Sequence, residues 1–270
     1  MRAPPARRPV REIPPYAELH AHSNFSFLDG ASHPEELAVE AARLGLSGLA
    51  LTDHHGLYGV VRFAVAARTV GLPTVFGAEL TLSDAGGPHL RTGVPDPDGT
   101  HLVVLARDPD GYARLSRAVA EAHLAGGEKG RPVLALDDLA GRHGGRWQIL
   151  TGCRKGPLAA ALEAEGPAAA GRALDRLVER FGAEHVAVEL WDHGTPVDGP
   201  RNDALAVLAA QRGLPAVATN NVHYATPDRF PLATALAAVR ARRPLAEMEG
   251  WLPASAAACL RTPAEQHRRF

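Results

Sequence analysis

The feature that most constrains this chain is an alternation of short apolar runs with longer amphipathic stretches, which continues through most of its 270 residues. The short runs predict seven strands: Ala17–His22, Gly48–Asp53, Thr74–Leu82, His101–Ala106, Trp147–Thr151, His185–Leu190 and Ala216–Thr219. Strict alternation of strands with helices is typical of a parallel sheet with helical crossovers. Seven units over about 200 residues favour a barrel of the TIM type or a seven-stranded relative, although the alternation alone also fits a doubly wound sheet.

The amphipathic stretches between the strands predict the helices. They are His33–Leu44, Leu57–Val70, Gly111–Ala125, Pro157–Glu163, Ala168–Phe181, Arg201–Arg212 and Leu232–Arg240. Two connections lack a helical pattern: the Gly/Pro/Asp-rich segment Ser83–Thr100, and a Gly-rich connection that leads to the fifth strand.

The chain divides into three predicted regions. Residues 1–15 contain five prolines and predict a flexible leader. Residues 16–230 predict the barrel. Residues 231–270 predict a helical extension toward a further region, with an end that has no visible cap and resembles a truncation.

Charge and cysteine content exclude several classes of protein. Lys and Arg number 29 and Asp and Glu number 30, a net charge of −1, so the chain lacks the broad basic excess of a protein that wraps nucleic acid. Two cysteines, Cys153 and Cys259, make no disulfide framework, which predicts a reducing, cytoplasmic location. Uncharged apolar runs are shorter than the roughly 18 residues of a membrane span, so no membrane partner is expected.

Candidate metal ligands stand at the ends of the first two strands. His20 and His22 are two residues apart, so in a strand both imidazoles point to the same side, although a pair of surface histidines has the same spacing. Asp29 follows in the loop above, where an ordinary Asp-Gly turn is the simpler explanation. The second strand ends in Asp53 and His54, and such a pair can supply one ligand and one residue that orients it.

The remaining strands repeat this arrangement. Glu79 lies in an otherwise apolar strand, where a buried acid costs several kcal/mol unless it is paired or bound to metal. His101 begins the fourth strand, Cys153 follows the fifth, and Asn221 and His223 follow the seventh. Each residue alone has an ordinary structural explanation. Together they place a possible ligand near almost every strand end, where parallel barrels hold their active sites.

The residue types limit the metal and the chemistry. Imidazole, carboxylate and one thiolate suit zinc, manganese or iron. The donors exceed what one tetrahedral ion needs, so we predict two or three divalent ions with shared carboxylates, and we expect Glu79 to bridge two of them. Such clusters activate water and hold a phosphoester for in-line displacement, so the pattern predicts phosphoester hydrolysis.

The same residues resemble the PHP domain, the polymerase and histidinol phosphatase family. The matching motifs, in chain order, are residues 17–31, 51–59, 76–80, 101–106, 151–156 and 218–224. The combination is most similar to the N-terminal region of bacterial DNA polymerase III alpha-type subunits. Residues 189–193, 238–243 and 251–253 resemble the error-prone, damage-tolerance branch.

The resemblance covers residues 16–265 and implies a distorted (β/α)7 TIM-like barrel with up to nine ligands for three metal ions. The nine positions are His20, His22, Asp29, His54, Glu79, His101, Cys153, Asn221 and His223. Asn221 departs from the family, which has Asp there, so one ion should bind more weakly because an amide carries no charge. Asp53 matches a residue that supports a ligand without binding metal itself.

Three functional hypotheses follow. The first is the N-terminal domain of an error-prone polymerase alpha-type subunit, whose partners are the polymerase domains of a longer chain, DNA and other damage-tolerance proteins. The second is a free-standing metal-dependent phosphoesterase of the histidinol-phosphatase kind. The third is a module whose metals only brace the fold, which Asn221 favours. A cluster of Arg240, Arg242 and Arg243 is a weak candidate for DNA contact, and a solvated helix end is the simpler explanation.

Overall fold

The computed structural model describes residues 13–83, 99–128 and 130–270. In these ranges the strands β1 to β7 span Ala17–Glu18, Gly48–Leu51, Thr74–Leu82, Thr100–Ala106, Trp147–Leu150, Val186–Trp191 and Ala216–Thr219. Most of the predicted leader 1–15 and of the predicted loop Ser83–Thr100 lies outside the described residues.

The strands form one sheet in sequence order, which curls into a nearly closed barrel. Its two edges meet just beyond β1 and β7, where Ala21 and Val222 form a parallel bridge. The amide of His22 donates to the Val222 carbonyl at 2.7 Å, and the amide of Val222 donates to the His20 carbonyl at 2.9 Å. The predicted seven-stranded α/β barrel is therefore confirmed.

The expectation of a wholly parallel sheet is wrong for β4. This strand runs antiparallel to both β3 and β5, while the remaining neighbours in the sheet pair in parallel. A parallel neighbour requires a crossover, usually a helix, and the segment between β3 and β4 has no helical pattern. Because β4 is reversed, His101 at its beginning lies at the same end of the barrel as the ends of its neighbours.

Helices α1 to α9 surround the barrel in the described residues. They span Pro34–Arg43, Val60–Thr69, Pro109–Gly126, Leu136–His143, Pro157–Glu165, Pro167–Phe181, Asp198–Gln211, Phe230–Ala241 and Pro263–Arg269. The sequence pattern does not predict α4 and α9. The start of α9 has a recognisable signature, because Thr262 and Glu265 form a capping box. None of these described helices combines the length and the apolar character needed to cross a bilayer.

The larger hydrophobic core lies between β3–β6 and the helices outside them. Trp147 in β5 is its largest fully buried side chain, and its indole nitrogen donates to the Gly111 carbonyl of α3 at 2.8 Å. This bond lets a bulky aromatic residue fill the core without an unpaired polar atom.

Residues 231–270 pack back onto the barrel mouth. The Asn220 side-chain amide donates to the carbonyls of Ala257 at 2.8 Å and Cys259 at 2.6 Å. The side chain of Gln266 in α9 donates to the Thr219 carbonyl at 2.9 Å. The predicted helical extension thus covers the end of β7.

We expect Trp147→Ala to lower the free energy of unfolding by about 3–5 kcal/mol, because it leaves a large cavity in the core. Trp251→Ala is the matched control, since this tryptophan is 57% exposed, and it should change stability by less than about 0.5 kcal/mol. Urea unfolding followed by circular dichroism measures both. Similar losses in the two variants would contradict this account of the core.

Candidate metal centre

The site is built around the carboxylate of Glu79, which is almost fully buried in β3. Its Oε2 lies 2.8 Å from Nε2 of His20 and 4.0 Å from Nε2 of His22. Its Oε1 lies 2.6 Å from Nδ1 of His101 and 3.1 Å from Nδ1 of His54. One carboxylate therefore faces four imidazoles, two on each oxygen.

These contacts define two donor groups that share Glu79. The inner group is His20, His22 and Glu79, and the second group is His54, Glu79 and His101. Within each group the ligand atoms lie within 4.8 Å of one another. The structure thus brings together five of the nine predicted ligands.

Three of the other four predicted ligands, Asp29, Cys153 and His223, lie around these two groups. Asp29 places Oδ2 2.9 Å from Nε2 of His54 and 3.3 Å from Nδ1 of His223. The Cys153 sulfur is 3.9 Å from Oε2 of Glu79. Asn221 has left-handed backbone geometry with a φ of 43°, and its Oδ1 is buried without a hydrogen bond among the described residues.

Two acids orient the imidazole rings of the inner group through their Nδ1 atoms. Glu189 contacts His20 directly, and Asp53 acts on His22 through Ser26. Oε1 of Glu189 in β6 lies 2.7 Å from Nδ1 of His20 and accepts from the Thr219 hydroxyl at 2.6 Å. Asp53 accepts from the Ser26 hydroxyl at 2.8 Å, and that hydroxyl lies 3.2 Å from Nδ1 of His22. Both histidines are thereby oriented with Nε2 toward Glu79.

Glu189 is not among the site residues predicted from the sequence. The available signal was the same as for Glu79, because Glu189 is also an acid within an apolar strand. Both are buried in the structure, where an isolated carboxylate would be costly.

Of the arginine cluster, Arg240 belongs to this site. Its guanidinium donates to Oδ1 of Asp29 and, at 3.3 Å, to the Leu28 carbonyl. Arg242 and Arg243 are exposed beyond the end of α8. Nothing in their surroundings tests a contact with DNA, which stays a prediction.

Burial and charge act in opposite directions on Glu79 and His54. Burial alone would raise the pKa of Glu79, but His101, His54 and His20 hold it well below its usual value. Burial lowers the pKa of His54, yet Glu79 and Asp29 raise it to about 10. For His22 burial and the neighbouring His54 act together, so its pKa falls well below the usual value. The buried carboxylate of Glu79 thus stabilises positive charge on His54, whereas the surroundings of His22 favour its neutral form.

A further buried acid, Glu18, lies beneath the site. The carboxylate of Glu18 accepts from the Tyr16 hydroxyl at 2.6 Å and from the amides of His20 at 2.8 Å and Asn220 at 2.9 Å. Burial raises the pKa of Glu18 to about 7 despite these bonds. Glu18 thereby links the end of β1 to the end of β7.

The two donor groups fit divalent metal ions. Nε2 of His20 and Nε2 of His22 are only 3.1 Å apart. Two neutral imidazole nitrogens at this distance can share at most one proton, so at least one of them has a lone pair that can bind a metal ion. A carboxylate with imidazoles on both oxygens is suited to bridge two ions, and the imidazole and carboxylate donors match zinc, manganese or iron.

Comparison with known proteins identifies the class. The model of the PHP domain family matches residues 18–193, and this chain belongs to that family. All five residues of the two donor groups lie in the matched range.

The relatives are more specific. The chain is 57% identical over 269 residues to an error-prone DNA polymerase of Mycolicibacterium paratuberculosis, covering 100% of this chain and 24% of that protein. It is 54% identical over 274 residues to an error-prone DNA polymerase of Cutibacterium acnes, again covering 100% of this chain and 24% of the relative. The chain thus corresponds to the N-terminal region of error-prone DNA polymerases and spans about a quarter of their length.

A solved structure shares the fold. A protein of Bifidobacterium adolescentis, assigned as a metal-dependent phosphoesterase, superposes with a TM-score of 0.53 at 18% identity. The superposition covers 78% of this chain and 89% of that protein.

Acid should weaken the mouth of the barrel through His193. Its Nε2 lies 2.6 Å from the Asn220 carbonyl, and burial lowers the pKa of His193 to about 4. An unfolded histidine titrates near pH 6.5, so between these values the unfolded chain binds a proton that the folded chain does not, and stability falls as pH decreases. The His193→Gln variant lacks this dependence.

We therefore compare the free energy of unfolding of the parent with that of His193→Gln. We expect the parent's value to fall relative to that of the variant, by up to about 2 kcal/mol, between pH 6.5 and pH 5. Urea unfolding at several pH values measures the difference. The exposed His267 offers the control variant His267→Gln. A constant difference for His193→Gln would refute the prediction.

Proposed function

We propose that this chain is the N-terminal, metal-binding region of an error-prone DNA polymerase and that its centre hydrolyses phosphoesters of nucleic acid. The polymerase domains of the longer protein and DNA are the proposed partners, together with other damage-tolerance proteins. The similarity to relatives of which the chain spans 24% supports the first part. Cys153 and Cys259 are buried, free thiols, which supports a cytoplasmic location.

One observation carries the proposed activity: Glu79 stands between two groups of imidazoles at the mouth of the barrel. This arrangement suits a pair of ions with one shared carboxylate. Paired divalent ions, when bound, activate water and stabilise the attacking and leaving oxygens in phosphoester hydrolysis.

The residues of the chain prepare the site for that chemistry. Glu189 and Ser26 fix the rings of His20 and His22, so that their Nε2 atoms remain directed at Glu79. These inner rings are fully buried, whereas 19% of the His54 side chain and 14% of the His101 side chain are exposed. A substrate phosphate would therefore approach from the side of His54 and His101.

A structural role for the metals is the second candidate, and Asn221 favours it. An amide at this position supplies less negative charge than a carboxylate, which weakens the binding of an ion there. In this case ions would stabilise the barrel mouth without turnover.

Hydrolysis separates the two candidates. The chain loaded with manganese or zinc is incubated with a single-stranded oligonucleotide and with bis(p-nitrophenyl) phosphate, before and after a chelator and again after metal is restored. We expect turnover that the chelator removes and metal restores. Metal-dependent stability without turnover would support the structural role and overturn the proposed activity.

Glu79 and Cys153 should differ in their importance for metal binding. We expect Glu79→Gln to lose at least one ion per chain, because it removes the charge shared by both groups. Cys153→Ala should retain most of the metal, since the thiol lies outside both groups and burial raises its pKa well above the usual value.

Elemental analysis of the purified variants measures this difference. Glu79→Gln keeps the size of the side chain, so a loss of metal reflects charge rather than packing. Equal metal content in Glu79→Gln and the parent would contradict the bridging role of Glu79.

A further inference from the structure

We call the part of the metal centre formed by Asp29, His54 and His223 its outer end. This outer end includes a permanently charged side chain, that of Arg240. Arg240 reaches it from α8, with 26% of its side chain exposed. Its guanidinium donates to Oδ1 of Asp29 and to the Leu28 carbonyl. The cation therefore sits on a carboxylate that also faces two of the predicted metal ligands, His54 and His223.

Both oxygens of Asp29 are occupied. Oδ1 accepts from Arg240, while Oδ2 faces His54 at 2.9 Å and His223 at 3.3 Å. An ion bound with His54 and His223 would use Oδ2, so it would share the single charge of this carboxylate with the guanidinium on Oδ1. Two cations on one carboxylate repel each other in a partly buried site.

The side chain on Asp29 differs chemically from the imidazoles around Glu79. A neutral imidazole nitrogen is a metal ligand, whereas a guanidinium cannot be deprotonated under physiological conditions and has no acceptor atom for a metal. The positive charge of Arg240 is therefore permanent.

Asn221 stands two residues before His223, the histidine that faces Asp29. Its side chain is neutral, and its buried Oδ1 lacks a hydrogen bond among the described residues. The predicted ligand set therefore has an amide at position 221, which adds no negative charge, and a carboxylate at position 29 that is already paired with arginine. Both features disfavour the binding of a third metal ion.

We infer that Arg240 is a resident cation that takes the place of a third metal ion, so that this centre holds two ions. This inference rests on the proposed metal centre and specifies its composition. Arg240 lies outside residues 18–193, the range that matches the family model, so the extension would set the number of ions in the barrel.

Metal content in a set of variants tests the inference. Each protein is loaded with manganese, freed of excess metal by gel filtration and measured by elemental analysis. We expect two ions in the parent, in Asn221→Asp and in Arg240→Gln, and three ions in the double variant Asn221→Asp/Arg240→Gln. Three ions in the parent or in Asn221→Asp would overturn the inference, and so would two ions in the double variant.

Two further double variants make the test specific. Asn221→Asp/Arg240→Lys keeps the positive charge and should hold two ions. Asn221→Asp/Arg243→Gln removes an equal charge from an exposed residue near the same helix end and should also hold two. Three ions in either variant would contradict a role for the Arg240 charge.

Folding and function are controlled separately. Circular dichroism shows whether each variant is folded, and Arg240→Ala replaces Arg240→Gln if the latter is not. A parent that holds two ions but hydrolyses no phosphoester overturns the proposed activity alone. A parent that holds three ions and hydrolyses phosphoesters overturns only the inference about Arg240.

Discussion

The centre depends on the buried carboxylate of Glu79. A charge in such a position is costly unless opposite charges or metal ions surround it. Four imidazoles satisfy it, two on each oxygen: His20 and His22 follow β1, His54 follows β2, and His101 lies at the start of β4. This single requirement explains why histidines gather at the barrel mouth and why further acids, such as Glu189, hold their rings from behind.

The direction of β4 is the second condition for this arrangement. In a parallel barrel the first residue of a strand lies at the end opposite the site, so His101 would be far from Glu79. The reversed β4 pairs with β3 and brings His101 to 2.6 Å from the carboxylate. The departure from a regular barrel is therefore part of the metal centre.

The extension beyond β7 joins the centre to the rest of the chain. It packs on the end of β7 through hydrogen bonds that involve Asn220 and Gln266. It also contributes Arg240, which contacts Asp29 at the outer end of the site. The positive charge in the site thus comes from two kinds of side chain, imidazole and guanidinium. A neutral imidazole nitrogen is a metal ligand, whereas the arginine on Asp29 keeps its charge.

The sequence by itself determined the alternation of seven strands with helices and most of the residues at the barrel mouth. The choice of a barrel over a doubly wound sheet rested on the number of strands and on the resemblance to the PHP domain. Strand and helix periodicity and the polar residues at strand ends are local properties, which is why Glu79 and the pair His20 and His22 could be found. The tertiary structure decided the reversal of β4, the pairing of Glu189 with His20 and the contact of Arg240 with Asp29. The last two features join residues far apart in the chain, 211 positions in the case of Arg240 and Asp29. Such contacts arise only when packing brings the segments together, so no local pattern encodes them.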